Sequence, residues 1–205
     1  MAELAVLASG SESRPRATAG FGRGVLFSGG AFQGIESAQM AGQPLIYRGQ
    51  GFSLRRDKNR FVLPNLFRGT VRESSQAPVL CLAKHDRWPC LVGYGLSRVN
   101  EFENIIEQER EFAMKSGQPF DRDMLAMTLY NYHEIPFDGS GRFVLPEDLA
   151  TLAEVDDQLY FQGAGQYFFV FAPAALAAMT EPTFKGAQVS CASLAAAELK
   201  KAARK

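Results

Sequence analysis

Arg60-Phe61-Val62-Leu63-Pro64 occurs a second time, unchanged, as Arg142-Phe143-Val144-Leu145-Pro146. The surroundings repeat as well. A short polar loop precedes each copy, Asp57-Lys58-Asn59 before the first and Asp138-Gly139-Ser140-Gly141 before the second. Asn65-Leu66-Phe67-Arg68 and Glu147-Asp148-Leu149-Ala150 follow, each suited to a helical turn opened by proline. Internal repetition constrains architecture before any local signal does. Two copies are too few for a solenoid. They fit a pseudo-twofold domain in which neither half buries its apolar face alone.

The chain has 205 residues, 46% of them hydrophobic and 16 of them Phe, enough for one packed domain with tails. Formal charge is zero, which by itself argues against a nucleic-acid binder. The distribution of charge says more. Arg48, Arg55, Arg56, Lys58, Arg60, Arg68 and Arg72 cluster against Asp57 alone, while Glu101, Glu103, Glu107, Glu109 and Glu111 cluster against Arg110 alone. A neutral total hides one positive loop and one negative helix. Cys81, Cys90 and Cys191 form no disulfide framework, Ala5–Ala8 is too short for a signal h-region, and no apolar run reaches transmembrane length. A reducing, cytoplasmic setting is expected.

Residues 1–45 are rich in Gly, Ser and Ala without periodicity and are expected to be disordered. Their GxGxG lacks a preceding strand and a following helix, so it is not read as a nucleotide fingerprint. Met40 stands just before the patterned sequence and is an expected alternative start of translation. Strands are predicted over Leu45–Leu54 and Phe61–Leu63, with a helical turn over Asn65–Phe67. A hairpin of Val79–Ala83 and Cys90–Tyr94 flanks Lys84-His85-Asp86-Arg87. Apolar residues at helical spacing predict helices over Glu101–Lys115 and, capped by Asp121, to about Asn131. Strands His133–Phe137 and Phe143–Leu145, a helix over Glu147–Leu152, a hairpin of Gln158–Gln162 and Tyr167–Phe171, and a last helix from Pro173 complete the pattern. Each half thus runs strand, loop, strand, short helix, hairpin, helix. The expected fold is mainly β with α. Its expected organisation is a first repeat over 46–116, a second over 117–180, and a loose tail over 181–205.

A strand, then Asp-x-x-x-Arg, then apolar residues and Pro, twice per chain, resembles the MraZ family. Asp138 through Pro146 carries the resemblance best; Val170-Phe-Ala-Pro173 is similar to the family's closing strand, and the likeness extends over roughly 45–180. It implies two AbrB/MraZ-like repeats forming one swapped-hairpin (double-split) β-barrel of the kind shared with AbrB and MazE. It further implies a transcriptional repressor of the division and cell-wall gene cluster. Such a repressor works as a ring-shaped homo-oligomer on direct repeats of double-stranded DNA upstream of its own operon. It has no enzymatic activity, cofactor, metal, membrane association or small-molecule substrate, and it is expected in the cytoplasm, at the nucleoid. The first copy departs from the motif. Arg56 stands where the family has Asp, the acidic residue falls one place later as Asp57, and Asn59 replaces the glycine found at Gly141. Asn tolerates a left-handed backbone, so the turn is expected to form.

A guanidinium on a tight loop can donate paired hydrogen bonds to phosphate or to a guanine edge. Arg55, Arg56, Lys58, Arg60 and Arg142 are therefore the expected DNA contacts. Asp57, Asn59, Asp138 and Gly141 are expected to shape the loops, with Asp138 accepting backbone N–H groups and orienting Arg142. Asp138, Glu147, Asp148, Glu154, Asp156 and Asp157 crowd Arg142 in sequence, so the first copy is expected to carry most of the affinity. Cys81, His85 and Cys90 match no zinc spacing and are read as packing, with the cysteines as a hairpin pair. His133 near Glu134 and Asp138 has no nucleophile beside it. The glutamate run is read as the wet face of its helix. The alternative function is a protein-binding module on the same barrel, of antitoxin or scaffold type, with incidental DNA affinity.

Overall fold

The structure, a computed structural model, describes residues 45–57 and 59–204. The expectations for the first 44 residues, Met40 included, and for Lys58 fall outside them. The first copy supplies β1 (Gln50–Leu54), β2 (Arg60–Val62), α1 (Asn65–Ser75), β3 (Val79–Lys84) and β4 (Cys90–Tyr94). A 3-10 turn over Leu96–Glu101 leads into α2 (Phe102–Ser116) and α3 (Arg122–Tyr130). The second copy supplies β5 (Tyr132–Pro136), β6 (Arg142–Val144), α4 (Glu147–Leu152), β7 (Gln158–Gly163), β8 (Phe168–Phe171) and α5 (Pro173–Ala178). A 3-10 turn over Pro182–Phe184 and α6 (Lys185–Ala202) follow.

The elements begin and end where the residues dictate. Pro64 and Pro146 stand at the N-caps of α1 and α4, and Asp121 caps α3 by accepting the Met124 N–H at 3.0 Å. Left-handed residues at Gln76 and Glu154 stop the chain from continuing as helix after α1 and α4.

Among the described residues, eight strands form two antiparallel sheets. Six lie in the order β1-β7-β8-β4-β3-β5, and β2 and β6 form a separate ribbon. The order reads the same when each strand is exchanged for its counterpart in the other copy. The registers obey the same exchange: β3 pairs β5 with Val79 opposite Pro136, and β1 pairs β7 with Leu54 opposite Gln158. The ribbon sets Phe61 opposite Phe143, with Arg60 opposite Val144 and Val62 opposite Arg142. The pseudo-dyad therefore passes between two phenylalanines, whose ring centroids are 6.3 Å apart. Each copy's first strand is hydrogen-bonded to the other copy's hairpin, so the copies interlock rather than stand side by side.

Both faces of the large sheet are covered, which explains its near-continuous apolar strands. Alternation along a strand sends Leu80, Leu82, Leu91, Leu159, Phe161, Phe168 and Val170 to one face. There they pack beneath Phe61 and Phe143 of the ribbon, Phe67 and Val71 of α1, and Leu149 of α4. The other face divides in two. Cys81, Ala83 and Tyr94 pack with Phe102 of α2, and Cys90, Tyr160 and Phe171 pack with Leu176 of α5, Phe184, and Cys191 of α6.

Among the described residues, hydrogen bonding leaves the six-stranded sheet open, with β1 and β5 as edges. The tight turns after β1 and β5 carry β2 and β6 out of the sheet and over its inner face. Three expectations are corrected. The tail, expected to be loose, is packed over 182–202: α6 lies along β1, with Phe184 and Cys191 buried. The helical turn at Asn65 extends to Ser75, because Phe67 and Val71 recur at helical spacing and are fully buried. Finally, Cys81 and Cys90 belong to different clusters and do not pack as a pair, although burial pushes each thiol up to about 12.

Candidate nucleic-acid interface

The two polar loops close by the same hydrogen bond. Arg56 N–H donates to Arg60 O at 2.7 Å, and Asp138 N–H donates to Arg142 O at 3.0 Å. Asn59 (φ 57°) and Gly141 (φ 80°) take the left-handed conformation at equivalent places, as the substitution of Asn for Gly permits. Each then offers its carbonyl to the other copy's chain: Leu63 N–H donates to Gly141 O at 2.8 Å, and Leu145 N–H donates to Asn59 O at 3.2 Å. Asn59 adds a bond from its amide Nδ2 to Leu145 O at 2.7 Å. The loops and the ribbon form one cross-braced unit.

Period-two alternation decides where the arginines lie. Phe61 and Phe143 face the core, so Arg60 and Arg142 share the opposite, outward face and both are exposed. Two residues separate them along the ribbon and one strand spacing across it, a diagonal of roughly 7–8 Å. Val62, partly exposed, and Val144, half-exposed, lie between them on the same face. The site thus consists of a short ribbon with two cations and two apolar side chains, and a tight turn at each end.

The turns differ in how they are held. In the second, the Asp138 carboxylate accepts N–H of Ser140 at 2.8 Å and of Arg142 at 3.0 Å, and takes Nε of Arg142 at 2.6 Å. The backbone N–H of Arg142, ahead of its guanidinium, holds this carboxyl below the usual carboxylate range. In the first turn Arg56 occupies Asp138's place and offers no acceptor. Asp57 is exposed, and its carboxylate makes no hydrogen bond among the described residues. Among those residues Arg56 and Arg60 have no ion-pair partner either. Arg55 reaches Asp156 at 3.6 Å with both side chains open to solvent, a pairing of little energetic consequence.

Interlocking exchanges the neighbours of the turns. Asp156 and Asp157, which stand after Arg142 in sequence, lie beside the first turn: Arg55 N–H donates to Asp157 O at 2.6 Å. Arg68 and Arg72, which belong to the first basic cluster, lie beside the second. Arg68 Nη2 donates to Leu63 O at 3.1 Å, and Arg68 Nη1 approaches Gly139 O at 3.5 Å. Arg72 Nη2 approaches Asp138 O at 3.5 Å, with its guanidinium carbon 5.5 Å from the centre of the Phe137 ring. Of the acidic residues that follow Arg142 in sequence, Asp156 and Asp157 thus stand at the other turn, while Asp138 stays on Arg142. Asp148 is taken by His133, whose Nε2 lies 2.9 Å from it. Arg68 and Arg72 are visible in sequence as part of the basic cluster, but nothing local assigns them to the second turn.

The remaining candidates resolve into structure. His85 stacks on Trp88 at 4.6 Å, and its Nδ1 accepts the N–H groups of Arg87 and Trp88, so it shapes the β3–β4 turn. Among the described residues no group of three or more His, Cys, Asp or Glu is placed to hold a metal. No described helix is long and apolar enough to cross a membrane.

No protein-family model matches the chain. Its sequence is similar to the transcriptional regulator MraZ of Rhodospirillum rubrum, 28% identical over 121 residues, which span 59% of this chain and 76% of that protein. It is similar to the transcriptional regulator MraZ of Parvibaculum lavamentivorans, 29% identical over 133 residues, with 64% and 79% covered. The transcriptional regulator MraZ of Methylococcus capsulatus is 29% identical over 126 residues, with 62% and 78% covered.

Proposed function

Since the chain belongs to the MraZ family of transcriptional regulators, we propose that it binds duplex DNA through the outward face of the β2–β6 ribbon and its two turns. One observation carries this reading: Arg60 and Arg142, equivalent residues of the two copies, stand exposed on one face of a ribbon whose apolar side is sealed by Phe61 and Phe143. The major groove, about 12 Å wide, admits a two-stranded ribbon. Arg60 and Arg142 supply forked donors for phosphate or guanine, and Val62 and Val144 supply apolar contact of the kind that thymine methyls accept. Arg55, Arg56 and Lys58 add positive charge at the first turn. Asp138 stays a turn-shaping group, because a carboxylate facing phosphate is repelled.

The crossed registers support reading the interlocked unit as a swapped-hairpin barrel of the AbrB/MazE type, with the ribbon spanning its open edges. The family supports a regulatory role in place of an enzymatic one. The fuller reading is a repressor of the division and cell-wall cluster, acting from a ring of copies on direct repeats upstream of its own operon. One subunit offers a few phosphate contacts, which alone give modest and strongly salt-dependent affinity. A closed ring would add avidity on operator repeats spaced by a helical turn.

Fluorescence anisotropy against the DNA upstream of this gene, at two salt concentrations, tests the reading. Arg60→Ala and Arg142→Ala are each expected to weaken binding and to flatten the log–log salt slope by about 1. Unchanged affinity and slope in both variants would remove the ribbon as the interface.

A further inference from the structure

We propose that Arg68 is a positioning residue for the second turn, setting the direction in which Arg142 is presented. The inference rests on the DNA-binding reading above.

Arg68 belongs to α1 of the first copy, yet its guanidinium lies against the turn of the second. Gly141 is buried, with φ at 80°, and a Cβ added there would lie 2.6 Å from Arg68 Nη2 and 2.7 Å from its Cζ. The side chain therefore occupies the space that the absent Cβ leaves. Its nitrogens face inward: Nη2 donates to Leu63 O at 3.1 Å, Nη1 approaches Gly139 O, and Nε is buried without a partner among the described residues. A guanidinium so engaged is not a free cation for phosphate. One helical turn later, Arg72 approaches Asp138 O. The second turn is thus gripped by α1 on one side and by the Asp138 carboxylate on the other.

The first turn has neither support. Arg56 replaces the carboxylate, and the residue equivalent to Arg68 in the second copy is Ala150, a small side chain packed against the core. Two turns of the same backbone shape are therefore unequal in rigidity. The held one presents Arg142 in a fixed direction, as bidentate recognition of a base edge requires. The first turn, braced through Asn59 alone, carries Arg56 and Arg60 without ion-pair partners among the described residues, an arrangement suited to phosphate.

The test compares the full chain with Arg68→Ala and Arg68→Met, the second keeping the aliphatic stem without the guanidinium. Amide hydrogen exchange in the absence of DNA is expected to quicken at Ser140, Gly141 and Arg142 in both variants, and to stay unchanged at Arg56 and Arg60. Thermal unfolding run alongside keeps a local loosening apart from a loss of the fold. In anisotropy titrations the ratio of operator to random-duplex affinity is expected to fall about tenfold, the loss of roughly one bidentate contact, while the salt slope stays as in the parent. Unchanged exchange at the second turn overturns the proposal. So does a salt slope reduced by about 1 with the affinity ratio intact, since Arg68 would then be a phosphate contact. A parent chain that binds no duplex overturns the previous subsection alone, and the exchange comparison still decides for or against Arg68.

Discussion

Asp138 and Arg56 occupy the same place in two turns of the same shape, and the charge of that one side chain changes how each turn is held. The carboxylate of Asp138 draws the Ser140 and Arg142 N–H groups inward and holds Arg142 by Nε. Arg56 can do none of this and leaves Arg60 without a tether. The linkage has a definite sign. Asp138's folded value lies below its ordinary one. Its contribution to the turn is therefore fully present above the unfolded carboxylate's pKa and is lost as pH falls through the folded value. A carboxyl-detected NMR titration is expected to place Asp138 below a model Asp. In Arg142→Ala, which removes the guanidinium but not the backbone N–H groups, only part of the depression is expected to disappear. These residue roles were readable from the sequence, because hydrogen bonds between Asp138 and Arg142 span a single turn.

At the scale of elements, the ribbon joins the copies. Phe61 is fully buried and Phe143 nearly so, and they meet across the pseudo-dyad. Phe61→Ala and Phe143→Ala are each expected to cost about 3–5 kcal/mol by urea denaturation, the usual range for emptying a core phenylalanine site. The symmetry predicts similar costs for the two; a change confined to one copy would show that the ribbon is not shared equally. Strand positions and α4 follow from short-range pattern, and the sequence reading places them within a residue or two, except that β1 begins at Gln50 and not at Leu45. α6 was missed because its composition, rich in Ala and Lys, shows only a thin apolar stripe. Its reason to be ordered is the surface it covers, formed by Tyr160 and Phe171 of the second copy beside β1 of the first. Pattern cannot report a surface assembled from distant strands.

At the scale of the whole molecule, interlocking controls both stability and charge. Among the described residues β1 pairs only with β7, and β5 only with β3, so each copy's first strand depends on the other copy. Fragments 46–116 and 117–204, expressed apart, are expected to lack native tertiary structure as monomers by near-ultraviolet circular dichroism and NMR, and to regain it when mixed. A natively folded monomeric fragment would contradict the crossed pairing.

The doubled Arg-Phe-Val-Leu-Pro motif, the turn chemistry of Asn59 and Gly141, and the outward placement of Arg60 and Arg142 all follow from the sequence, because each depends on contacts within a few residues. Only the tertiary structure decided that Arg68 and Arg72 attend the second turn, that Asp156 and Asp157 attend the first, and that the tail is a packed helix. Those outcomes depend on which strand crosses to which hairpin, and local propensity carries no information about long-range pairing.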